Sequence, residues 1–83
     1  MFVEITADSL KLNTHASIVG VEPSEDGNRL SEIGFYPGKK LVLLNAAPFG
    51  GPLAFELGNS VVALRRDEAR LIRVSPSPEL VNG

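Results

Sequence analysis

Apolar and polar positions alternate most cleanly between Leu53 and Leu57, where Leu53, Phe55 and Leu57 are interleaved with Ala54 and Glu56. That period of two is the signature of a half-buried strand. Gly58-Asn59 follows, and then Ser60-Val61-Val62-Ala63-Leu64, so the stretch predicts two strands joined by a two-residue hairpin turn. Ala16 to Val21 is a second β-rich run, with Ala16 and Ile18 on one face and Val19 and Val21 on the other. Ser9 to Asn13 reads as an approach segment ending in a turn, because Asn13 tolerates left-handed backbone. Lys40 to Asn45 predicts another strand, and its Leu41-Val42-Leu43-Leu44 centre is apolar throughout, as expected of a strand covered on both faces. A single turn around Arg66 to Ala69 leads into a last strand, Leu71-Ile72-Arg73-Val74.

One brief helix interrupts the strands. It follows the polar loop Glu22 to Gly27, with Asp26 or Asn28 as N-cap and Gly34 where a helix C-terminus takes a left-handed residue. Leu30 and Ile33, three apart, are expected to share its buried face, with Arg29 and Glu32 outward. Pro37-Gly38 ends this region, and Ala47-Pro48-Phe49-Gly50-Gly51-Pro52 is a loop, since prolines and glycines leave little alternative. About five short strands and one helix predict a mainly β fold, a small, partly open SH3-like β-barrel, with an OB-like barrel as the second choice. Residues 1–75 form the single domain in this reading, and 76–83, carrying Pro76 and Pro78, form a tail without fixed structure.

Composition narrows the function classes. With 83 residues there is room for one domain, and 43% hydrophobic with 22% charged residues is an ordinary globular balance. No cysteine is present, which excludes disulfides and thiolate metal sites. Apolar runs such as Leu41–Leu44 are far too short to cross a bilayer, and Met1-Phe2-Val3-Glu4 lacks the features of a secretion signal. The expectation is a cytoplasmic protein that reaches a membrane only through a partner. A net charge of −2 argues against a nucleic-acid partner. Arg65, Arg66, Arg70 and Arg73 cluster, interrupted by Asp67 and Glu68. Such a stretch reads first as a self-neutralising solvated face and second as a docking patch for an acidic partner.

Reactive chemistry is sparse. His15 is the one histidine, and a lone imidazole builds no metal site; the ligand inventory predicts only weak, nonspecific metal uptake. Ser9, Ser17, Ser24, Ser31 and Ser60 show no nucleophile-elbow spacing, and Phe49-Gly50-Gly51-Pro52 lacks the lysine of a phosphate-binding loop. Glu22, Glu25 and Asp26 read as a solvated acidic turn. Neither catalysis nor a cofactor is expected. Recognition by surface shape remains, and Phe49 is its most informative residue: an aromatic between Pro48 and Gly50-Gly51 either anchors a partner or folds back over the open barrel end. Tyr36, beside Pro37-Gly38, presents the same choice.

Ala16-Ser17-Ile18-Val19-Gly20-Val21, Arg29 to Gly38, Ala47 to Leu53, Val62 to Ala69 and Leu71 to Val74 follow one another in a fixed order and spacing. Together these segments resemble the ferrous iron transport protein A (FeoA) family. The resemblance implies an SH3-like barrel in the cytoplasm whose partner is the ferrous iron permease, a membrane protein with a cytoplasmic GTP-binding domain. It points to contacts in the 47–52 loop (Pro48, Phe49, Gly50, Gly51) and the 30–36 segment (Leu30, Tyr36), with Arg65 and Arg66 as further candidates. Two positions depart from the family pattern: Asn13 replaces a common glycine, and Gly51 a common aspartate. The same barrel also resembles the C-terminal domain of iron-dependent repressors, which makes a protein- or peptide-binding module the alternative reading.

Overall fold

In the computed structural model, which describes residues 3–77, the strands are β1 (Ile5–Thr6), β2 (His15–Val21), β3 (Lys40–Ala46), β4 (Leu53–Leu57), β5 (Ser60–Leu64) and β6 (Ile72–Pro76). They form one six-stranded sheet in the order β1-β6-β2-β3-β4-β5, every pairing antiparallel. The mainly β architecture is the expected one. The two-residue β1 and the 3-10 turn that follows it at Ala7–Ser9 were not expected from the pattern. At two residues, Ile5–Thr6 is too short to show a period, and it becomes a strand only because β6 offers an edge to pair with.

The β4–β5 hairpin is the one predicted. Leu57 pairs with Ser60 across Gly58-Asn59, and Gly58 takes φ 64, which a residue with a side chain resists. Leu53, Phe55 and Leu57 face the core while Glu56 faces water. β3 departs from expectation, because only Leu41 and Leu43 are buried, with Val42 half-buried and Leu44 exposed. A bulge between Leu43 and Asn45 pushes Leu44 outward. The helix α1 (Glu25–Glu32) packs on β2.

Ser24 caps α1, its hydroxyl accepting from the Gly27 amide at 2.9 Å, in place of the expected Asp26 or Asn28. Ser24 wins because it lies extended just outside the helix, where its oxygen reaches the third helical amide, whereas Asp26 and Asn28 lie inside the helix. At the other end Gly34 has φ 125, the Phe35 amide donates to the Leu30 carbonyl, and the Gly34 amide to that of Ser31. This is a Schellman closure. It corrects the predicted helix face: Leu30 is buried as expected, but Ile33 is the C-cap and is 51% exposed. Phe35 takes the core position instead, packing edge-on against Phe55 at 6.4 Å between ring centroids.

The last strand runs beyond its predicted end at Val74, to Pro76, so Ser75 joins the sheet and Pro76 is a sheet residue and not tail. Proline fits there because Ser77 donates its amide to His15 on β2. The nitrogen of Pro76 therefore faces the β1 side, beyond the end of that short strand, where no donor is required. The rest of the predicted tail, 78–83, lies outside the described residues.

Candidate functional site: the 47–52 loop

β3 and β4 are joined by Ala47–Pro52, closed by hydrogen bonds from the Ala47 amide to the Pro52 carbonyl (3.0 Å) and from the Gly51 amide to the Pro48 carbonyl (3.1 Å). The two residues at its tip both have positive φ, 56 at Phe49 and 74 at Gly50, as in a type I′ turn. Glycine takes this conformation freely; a phenylalanine there costs about 1–2 kcal/mol. Phe49 recovers none of that by burial, since its side chain is fully exposed, at 103% of its reference surface. Gly51 has a different reason to be glycine: an added Cβ would come within 2.8 Å of the Ala47 Cβ. The aspartate common at that position in the family would need this loop to shift.

Arg66, the first residue of α2 (Arg66–Ala69), braces the loop. Its Nε donates to the Gly51 carbonyl and one terminal nitrogen to the Ala47 carbonyl, both at 3.1 Å. The planar guanidinium suits two carbonyls at once in a way an ammonium does not. Arg66 is half-buried and acts as a clamp, a role that charge clustering did not suggest. Hairpin counting does suggest it: six steps outward from the Leu57–Ser60 pair, Gly51 falls beside Arg66.

The remaining candidates divide. Pro48, Phe49, Gly50 and Gly51 gather at the tip, with Arg65 and Arg66 at its base. Arg65 is exposed and lies 3.6 Å from both Asp67 and Glu68. Tyr36 is 47% exposed, with the Lys39 ammonium 5.8 Å above its ring. Tyr36 and the loop lie before and after β3, whose seven residues span about 23 Å. Leu30 is corrected outright. At 3% exposure it is a core residue and has no surface for a partner.

The four clustered arginines do not form a common patch. Arg70 lies 3.5 Å from Asp8, and Arg73 lies between Glu4 and Glu22 at 3.7 and 3.6 Å. Of the four, only Arg65 meets the interleaved acids Asp67 and Glu68; Arg66 is held by two neutral carbonyls, and Arg70 and Arg73 find acids from elsewhere in the chain. Among the described residues, no group of three or more histidine, aspartate or glutamate side chains is placed to hold a metal ion. His15 stands exposed at the start of β2.

Residues 5–76 match the FeoA domain family. The chain belongs to that family. Among solved structures, FeoA from Stenotrophomonas maltophilia is 31% identical, with a TM-score of 0.76, over 84% of this chain and 88% of that one. It is described as a zinc complex of a prokaryotic SH3 domain protein, with a suggested role as a ferrous iron transport activating factor. Iron(II) transport protein A from Clostridium thermocellum is 33% identical over 87% of this chain and 45% of that one, at a TM-score of 0.81. A manganese-dependent transcriptional repressor shares the fold at a TM-score of 0.81 and 14% identity, over 93% of this chain and 44% of its own. No curated protein matches the chain. The SH3-like barrel inferred from the strand pattern is thus the fold of its relatives.

Proposed function

We propose that the chain is a non-enzymatic cytoplasmic accessory of bacterial ferrous iron uptake. In this reading the chain forms one domain, running to Pro76 at the end of β6, that docks on the ferrous iron permease through the 47–52 loop, regulating or assembling it. FeoA membership supports the iron-uptake assignment, as does the role suggested for the Stenotrophomonas protein. One observation carries the docking site: Phe49 is held in left-handed backbone and fully in water on a loop clamped by Arg66. A rigid, solvated aromatic contributes nothing to the isolated fold and is the kind of anchor that fills a pocket on a partner. Among the described residues no helix is long and apolar enough to cross a membrane, so contact with the permease at its water-facing surface is the natural geometry.

The test is titration of the purified chain against the detergent-solubilised permease of the same organism, with and without guanine nucleotide. The isolated GTP-binding domain runs in parallel. Saturable binding that weakens at least about 30-fold in Phe49→Ala, some 2 kcal/mol, is expected of an anchor residue. Binding unchanged by that substitution would remove the loop from the interface. No binding at about 100 μM permease, roughly −5.5 kcal/mol, would turn the assignment to the second reading. That second reading, a protein- or peptide-binding module akin to the C-terminal domain of iron-dependent repressors, is favoured by the shared fold of the manganese-dependent repressor.

A further inference from the structure

The sheet ends on β5, and among the described residues this edge carries no charge, proline or bulge. Natural edges are blunted by charges, proline, bulges or brevity. At the opposite edge, β1 is two residues long and follows Glu4. β5 reads Ser60-Val61-Val62-Ala63-Leu64, with no charge and no proline, and its pairing with β4 runs through five consecutive residues without a bulge. Among the described residues, none from 60 to 64 makes a backbone hydrogen bond outside the sheet. The Leu57–Ser60 pair closes a two-residue turn and is hydrogen-bonded, so by antiparallel alternation Val62 and Leu64 bond to β4 and the amides and carbonyls of Val61 and Ala63 point off the edge. Val61 is 63% exposed and Ala63 is exposed as well.

We propose that this edge pairs antiparallel with β5 of a second copy of the chain, about a twofold axis at Val62. In that register Val61 lies opposite Ala63 of the other copy. Each such pair exchanges both of its hydrogen bonds, so every outward amide and carbonyl of the two residues is satisfied in both copies. The donor–acceptor pattern of the edge is its own complement. Side-chain placement agrees with it. On the outer face Val61 and Ala63 of one copy meet Ala63 and Val61 of the other, extending a row that already holds Ala54 beside Ala63. Val62 meets Val62 on the inner side. No like charges are brought opposite, since Arg65 falls against Asn59.

Sedimentation of the full chain from about 10 μM to about 1 mM, with amide hydrogen exchange at both ends of that range, tests this pairing. A concentration-dependent dimer is expected, with the Val61 and Ala63 amides slowing as it forms and the Val62 amide, already bonded to β4, unchanged. The double variant V61K/A63K sets lysines directly opposite across the junction and should weaken the dimer at least about tenfold. V61K/A63E sets lysine against glutamate in the same places and should restore it, which separates a lost junction from a damaged fold. A monomer at the highest concentration, a dimer indifferent to the lysine pair, or Val61 and Ala63 protection independent of concentration would each overturn the proposal.

Discussion

Replacing Phe49 by asparagine should make the protein more stable, although it removes the largest side chain on the loop. Phe49 holds φ 56 with a side chain wholly in water, so the substitution gives up no burial. An L-residue with a bulky side chain pays about 1–2 kcal/mol for left-handed backbone, whereas asparagine visits it several-fold more readily. A gain of about 1 kcal/mol is expected, read as a rise in Tm of roughly 4–8 °C for a domain of this size. Phe49→Gly relieves the same strain but adds about 0.5–1 kcal/mol of unfolded-state entropy, so its gain should be smaller. Phe49→Ala keeps a Cβ in the same backbone conformation and should stay within about 0.5 kcal/mol of the parent. Thermal and urea unfolding of the three variants, with unchanged m-values, gives the ranking asparagine, glycine, alanine. A destabilised Phe49→Asn would refute the reasoning, because Phe49 would then be contributing packing to the free protein. Stabilisation together with lost permease binding would show that the strain is kept for recognition.

Arg66→Ala removes both carbonyl contacts and should destabilise the protein by about 1–3 kcal/mol. Arg66→Lys should recover less than half of that, since an ammonium does not fork between Gly51 and Ala47; faster amide exchange at Ala47 and Gly51 in both variants is the site-specific readout. Gly27→Ala would raise helix propensity by about 1 kcal/mol in open surroundings. In α1, however, its Cβ would collide with the Glu22 carbonyl, so a net loss in urea unfolding is expected and a gain would contradict the packing. Leu30→Ala should cost about 2–5 kcal/mol as a core deletion. A near-neutral value would return Leu30 to the surface.

Local chemistry alone determined much of this protein. The Gly58-Asn59 turn sets the register of the β4–β5 hairpin, and the period of two assigns Phe55 inward and Glu56 outward. Asn13, singled out for its tolerance of left-handed backbone, has φ 63, and the proline–glycine run marks the loop that carries Phe49. These features are legible because each depends on residues close together in the chain. Four other outcomes depended on what lies opposite in space. Ile33 lost the core to Phe35 because the Schellman closure at Gly34 turns the chain after Leu30. Leu44 was left in water by the bulge between Leu43 and Asn45. β1 exists only through pairing with β6. Whether Phe49 folded back or stood free was also a tertiary matter. A loop sequence specifies where the chain can turn, but the Arg66 guanidinium, fifteen residues from Gly51, holds the loop at its base while the tip stands in solvent.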